Sequence, residues 1–355
     1  MLKQHPTLRY IVLRAGWYFI TFLVAISINF FLPRLGAGNP VDVIMGQIGQ
    51  GLDTQTARER EDDFLIDFGL AEVDEAGNVL RDENNQPVST SLWSQYFSYF
   101  GMVLQGDLGT SFMNYPRGVT ELIREALPWT LALQIPTILF GWIIGNVLGA
   151  LAAYKRGVFD KVLFPLSLLT SAVPFFAFGL ILVYLFGIHW QIFPSIGAYG
   201  QGLMEGFNWP FISSIAYHYV LPFFSIFMIL AGGQAIGMRS MCIYELGTDY
   251  IKYAKWLGVK ESKIVYYMFR NAMLPQLTGL ALSLGMMIGG ALITEMIFSY
   301  PGLGLRMLDA IQNNDYPLIQ GITLLVTVCV LAANFSIDIL IGFLDPRVKA
   351  GQRGS

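Results

Sequence analysis

The densest set of polar, aromatic and glycine residues lies between Glu245 and Pro275. It reads Glu245-Leu246-Gly247-Thr248-Asp249-Tyr250-Ile251-Lys252-Tyr253-Ala254-Lys255-Trp256-Leu257-Gly258, and later Arg270-Asn271-Ala272-Met273-Leu274-Pro275. Thr248 is a suitable N-cap, and Ile251, Ala254 and Leu257 recur on one helical face. Gly258 can end that helix, and Glu261 and Ser262 can start a second. Pro275 is expected in the first turn of the apolar helix that follows, where its missing N–H costs nothing. The chemistry this pattern allows is noncovalent. Ala254 and Gly258 leave room for another surface to come close, and Tyr250, Tyr253 and Trp256 offer aromatic anchors. A plainer reading is an amphipathic helix on the lipid interface, with Lys252, Lys255 and Lys260 toward anionic headgroups. Spacing alone leaves both open.

Covalent chemistry finds no support. The chain has no Gly-x-x-x-x-Gly-Lys-[Ser/Thr] loop to cradle phosphates and no His-Glu-x-x-His helix to hold zinc. Its three histidines, His5, His189 and His218, are scattered, and Cys242 and Cys329 lie in or beside apolar runs far apart in sequence. No catalytic group, cofactor or metal site is therefore expected in this chain, and a net charge of −3 gives no reason to expect nucleic acid. Two residues within apolar runs remain as pore or gate candidates. Glu295 would sit near the outer end of a membrane span. A buried carboxylate there costs on the order of 2.5–3.5 kcal/mol and normally faces protein rather than lipid. Pro174 is expected to kink its helix.

The elements that must position these residues follow from composition. Only 13% of residues are charged and 54% are hydrophobic, about half the charge of a soluble domain. A span needs about 20 apolar residues. Six stretches qualify: Ala15–Leu32, one within Ala126–Tyr154, then about 163–187, 216–238, 275–298 and 318–342. Lys and Arg collect before the first (Lys3, Arg9, Arg14), between the second and third (Lys155, Arg156, Lys161), between the fourth and fifth, and after the last (Arg347, Lys349, Arg353). The alternate loops hold few, with Arg306 alone in 300–316. By the positive-inside rule both termini are cytoplasmic. The expected fold is thus an all-α membrane protein of six spans embedded in the lipid bilayer. It divides into 1–32 (N-terminus and first span), an extended extracytoplasmic segment 33–117, a five-helix core 118–346 with the cytoplasmic loop 239–274, and a tail 347–355. Segment 34–116 carries four basic and thirteen acidic residues. Its polar middle, 71–88, has turn-forming Ala76-Gly77-Asn78 and Glu83-Asn84-Asn85, as in a short hairpin.

The unit Tyr250-x-x-x-Ala254-x-x-x-Gly258, followed by Arg270-Asn271-Ala272-x-Leu274-Pro275, resembles the ATPase-coupling loop of binding-protein-dependent ABC importer permeases, within them the dipeptide/oligopeptide subfamily. Other segments agree in order: Gly106–Ser111, Glu121–Pro128, Ser171–Phe175, Glu295–Gly304, Asn314–Pro317 and Leu344–Arg347. Where the general importer pattern has Glu-Ala-Ala, this chain has Lys252-Tyr253-Ala254, which suits the peptide subfamily. The resemblance implies a pore-forming permease in the cell (inner) membrane. It implies a second related permease subunit, two ABC ATPase domains that bind ATP and Mg, and an extracytoplasmic solute-binding protein. Coupling would fall to Glu245, Asp249, Tyr250, Lys252, Tyr253, Ala254, Gly258, Arg270 and Pro275. Peptides are the implied solute, with oligosaccharides or nickel complexes as alternatives. The rival of another class is a channel that needs no ATPase.

Overall fold

The protein is described from a computed structural model covering residues 6–36, 54–67, 69–74, 77–82 and 85–344. The tail 347–355, with the end of the Leu344–Arg347 segment, lies outside these residues, as do 37–53 of the segment expected to be extracytoplasmic. The described chain is helical: α1 (Pro6–Gly36), α2 (Thr54–Asp67), α3 (Leu92–Leu104), α4 (Val119–Lys155), α5 (Gly157–Ala172), α6 (Phe175–Leu182), a π-helical turn (Val183–His189), α7 (Trp209–Leu246), α8 (Asp249–Trp256), α9 (Glu261–Ile297), α10 (Leu303–Gln312) and α11 (Tyr316–Leu344). Among the described residues four helical stretches are long and apolar enough to cross a membrane: Arg9–Leu32, Val119–Lys155, Trp209–Leu246 and Tyr316–Ser336. A fifth candidate is a bent pair, α5 with the run Phe175–His189. Extended pairing among the described residues is limited to isolated bridges, so the all-α membrane class holds.

One expectation about prolines is met and one changes. First, the third apolar stretch bends at Pro174, where a kink is expected, and the bend is a full break: α5 and the run Phe175–His189 meet at 99°. Val173 and Pro174 between them are extended, with ψ of 129° and 138°. Pro174 has no N–H to offer and disfavours the helical conformation in the residue before it. Secondly, Pro275 does not open a span. It lies well inside α9, which runs unbroken from Glu261, so the second loop helix and the apolar helix are one rod. Prolines inside membrane-spanning helices are tolerated more readily than in soluble ones.

The chain forms two compact units. The first comprises the described residues within 1–12, 128–305 and 329–355. One buried cluster joins Leu133, Leu182, Leu221, Ile226, Phe298 and Tyr300. A second joins Ala150, Ala153, Met238, Cys242, Met268 and Ala272. Helices α4 and α7 approach through Gly141, Gly145 and Gly149. A Cβ on Gly145 would stand 2.5 Å from the Ala231 carbonyl oxygen, and one on Gly149 would stand 2.3 Å from that of Ala235. Four-residue spacing of glycines is what lets two apolar helices touch backbone to backbone without a solvent-driven force between them.

The second unit comprises residues 13–127 and 306–328. Here α1 meets α3 through Phe30, Tyr96 and Tyr99, and Ser27 bonds the Tyr96 hydroxyl at 2.8 Å. Asn29 and Gln320 exchange side-chain-to-backbone hydrogen bonds at 2.9 and 3.2 Å. The expected external hairpin is a short meander. Leu80 donates to Glu72, Val88 donates to Leu80, and turns close at Asp74–Asn78 and Asp82–Gln86. Asp315 is fully buried and joins two of the sequence segments noted above. It accepts from the Ser111 hydroxyl at 2.5 Å, from the Phe112 and Met113 N–H groups, and from Leu318 N–H at the start of α11.

Candidate functional site: the loop helix and the Tyr300–Gly304 turn

The loop helix α8 is short because its ends are fixed. Thr248 is its N-cap residue, as its type predicts. Its hydroxyl turns backward, however, and donates to the Glu245 carbonyl at 2.6 Å, which pins the chain as it leaves α7. At the other end Gly258 adopts φ +71°, a left-handed conformation that costs glycine little. Its N–H and that of Val259 return to the Lys255 and Ala254 carbonyls.

One phenol ties α8 to both of its neighbours. The Tyr250 hydroxyl donates to Glu245 Oε2 at 2.5 Å and accepts from Asn271 Nδ2 at 2.8 Å. Three helices, α7, α8 and α9, thus meet at a single oxygen. Partial burial, and then the bond to the Glu245 carboxylate, push this phenol above its ordinary value of 10.0. It stays a donor throughout the neutral range. Ile251 is fully buried, as are Met268 and Ala272 on α9. The expected face of Ile251, Ala254 and Leu257 is therefore split. Ala254 is half-buried, whereas Leu257 is 67% exposed because it is the C-cap, outside the helical repeat.

The opposite side of α8 is bare. Tyr253 (61%) and Trp256 (81%) are exposed apolar groups beside Leu257, and Lys252 and Lys255 stand among them. Lys252 reaches Asp249 at 3.0 Å, but the Asp249 side chain is 98% exposed, so the pair contributes little. Arg270 and Pro275 are exposed on α9. The structure therefore brings Glu245, Tyr250 and Asn271 together as a clamp. It leaves Lys252, Tyr253 and Trp256 outward at the tip, with Gly258 open beside them. Asn271 was within a quoted segment, but its place in the clamp is visible only once the two helices are folded together.

At the far end of α9 the pore or gate candidate Glu295 is fully buried. Its Oε2 accepts from the Gly304 N–H at 2.6 Å, and the Leu303 N–H donates to Thr130 Oγ1 at 2.9 Å. These N–H groups belong to the first turn of α10, where a carboxylate is favourable. The turn is tight. A Cβ on Gly302 would stand 2.3 Å from Glu295 Oε2, and one on Gly304 would stand 2.4 Å from the Leu292 carbonyl oxygen. Glu295 therefore closes the Tyr300–Gly304 turn in this conformation. Pro174, the other candidate, is exposed at the break between α5 and α6, and Phe298 packs against Gly179 on α6. Thr130 carried no sequence signal, since one threonine in an apolar helix is unremarkable.

The family described as "Binding-protein-dependent transport system inner membrane component" matches residues 145–350, which include the loop helix and the Tyr300–Gly304 turn. The chain is 31% identical to the dipeptide transport system permease protein DppB of Escherichia coli strain K12, over 96% of this chain and 99% of that protein. It is 32% identical to the di/tripeptide transport system permease protein DppB of Pseudomonas aeruginosa UCBPP-PA14 over the same shares. It is 29% identical to the oligopeptide transport system permease protein AppB of Bacillus subtilis strain 168, over 95% of this chain and 98% of that one. A clamped loop helix with a bare tip, on a chain built of membrane-spanning helices and matched along nearly its whole length, belongs to the binding-protein-dependent transport system inner membrane component family, as a multi-pass permease subunit of the inner membrane.

Proposed function

We propose that this chain is one half of the translocation pore of an ATP-driven importer of short peptides. The observation that carries the reading is α8, tied to α7 and α9 through the Tyr250 oxygen while Tyr253, Trp256 and Leu257 stand exposed. A short helix gripped by two long ones is a lever. A partner that grips its bare tip and moves it turns both long helices together, a rigid-body transition driven by differential binding. The partner is an ABC ATPase domain, one of two, which binds the ATP and Mg that this chain does not. A second, related permease completes the pore, and a solute-binding protein delivers solute from outside.

In this reading the chain crosses the bilayer six times with both termini in the cytoplasm. The loop 239–274 faces the ATPases, and 33–117 faces outward. Near-full-length relatives named for dipeptide, di/tripeptide and oligopeptide transport favour peptides over oligosaccharides or nickel complexes.

The test is assembly. Gly258 has open space around it and a left-handed backbone. Gly258→Asp places a charged side chain beside the bare tip without displacing any neighbour in this chain. The variant should insert normally and fail to co-purify with the ATPases. Full assembly and wild-type uptake of labelled dialanine would overturn the coupling assignment.

A further inference from the structure

The guanidinium of Arg239, on α7, grips Asp160, on the first turn of α5, in a bidentate pair, Nε to Oδ1 at 2.5 Å and Nη2 to Oδ2 at 2.7 Å. Both side chains are largely covered, at 21% and 18% exposure. Arg239 also lies over the Phe164 ring, 4.3 Å from its centroid, so the guanidinium is held on two sides by α5. One helical stretch further along, Gly232 admits Thr170 and the Ser167 carbonyl. A Cβ there would stand 2.2 Å from Thr170 Oγ1 and 3.0 Å from Ser167 O. The two helices are thus joined by a fork of charge at one end and by backbone contact at the other.

This joint sits where force would enter. Arg239 is two turns before Glu245, the α7 end of the Tyr250 clamp. The other end of α5 is the 99° break at Val173–Pro174. Between clamp and break the path is α8, the end of α7, the Arg239–Asp160 fork, and α5.

We propose that Arg239 and Asp160 are positioning residues that make α5 and α7 one rigid arm, so that movement of the loop helix is delivered to the break at Pro174. The proposal rests on the importer reading above, and adds which residues carry the movement onward and where it ends. The bidentate geometry is what the role requires. A single point contact would let α5 pivot on α7, whereas two parallel bonds plus the ring stack fix its direction.

The test uses the full transporter, both permeases with their ATPases, reconstituted in nanodiscs. Spin labels go on cysteines at Val158 on α5 and Tyr244 on α7, both exposed, with Cys242 and Cys329 replaced by serine. The separation is measured without nucleotide and after trapping with ATP and vanadate. This reading needs no solute, so it is independent of what the pore carries. The labels should keep the same separation in both states in the parent chain. In Asp160→Asn the separation should change or broaden on trapping. In the exchanged pair Asp160→Arg with Arg239→Asp it should narrow again. The same complexes are assayed for ATP hydrolysis with and without binding protein loaded with dialanine. Asp160→Asn should assemble and hydrolyse ATP while losing most of the stimulation. A separation that changes in the parent chain as much as in Asp160→Asn would overturn the rigid arm. So would full stimulation in Asp160→Asn. A parent complex that keeps its separation but is not stimulated by dialanine-loaded binding protein leaves the arm standing and counts against the peptide reading.

Discussion

At the residue scale, two groups organise the permease, the Tyr250 phenol at the loop and the Glu295 carboxylate at the Tyr300–Gly304 turn. Tyr250→Phe removes one hydroxyl and leaves the ring, so Glu245 and Asn271 lose their shared partner. The loss should be about 1 kcal/mol, the usual net worth of such a bond, read as a lower unfolding temperature in detergent and weaker ATPase stimulation. The sign of the pH dependence follows from the raised phenol. The neutral form is the donor, so the contribution is present below 10.0 and lost only as pH rises through the higher folded value. The difference between Tyr250→Phe and the parent chain should therefore be flat across the neutral range. Glu295→Ala leaves the buried Gly304 N–H unpaired, a loss of about 1–3 kcal/mol. Glu295→Gln keeps an acceptor there and should lose less, which differential scanning fluorimetry can resolve. The sequence marks Glu295 plainly, because a carboxylate in an apolar run needs a reason. It gives no hint that the reason is a turn closed with Thr130, since hydrogen bonding between distant segments leaves no local pattern.

At the scale of the elements, the local rules hold where short-range chemistry decides. Thr248 and Gly258 bracket α8 as residue type predicts, and Asn208 caps α7 by accepting from the Phe211 N–H at 3.0 Å. The rule for prolines holds at Pro174, which breaks its helix as expected, and misleads elsewhere. Pro275 lies within an unbroken one, as do Pro128 and Pro136 in α4. A proline's local cost is the same in each case, and at Pro136 the freed Ala132 carbonyl accepts from the Tyr219 hydroxyl at 3.1 Å. The Gly141, Gly145, Gly149 series is legible as a four-residue repeat and marks the α4 face that meets α7. Gly149→Leu forces a side chain against the Ala235 backbone, which cannot yield as a flexible side chain would. That variant should lose most of its folded yield in the membrane, measured by size-exclusion profile after extraction, whereas a substitution at Gly101, which has no neighbour within 4 Å, should not.

At the scale of the whole molecule, low charge, six apolar runs and alternating basic loops point to a polytopic membrane protein, and the ordered segments from Gly106 to Pro317 point to its family. That much is legible because composition and order survive without coordinates. Which helices move together is not, because it depends on contacts such as Arg239 with Asp160, 79 residues apart. The central claim is that movement enters this chain through α8. It is tested most directly by uptake of labelled dialanine into proteoliposomes that contain the full transporter, with its binding protein outside the leaflet that bears the ATPases. Uptake should require both ATP and binding protein, and Gly258→Asp should abolish it while the permease pair stays intact. Uptake that persists without nucleotide, or in Gly258→Asp at the parent rate, would contradict the account.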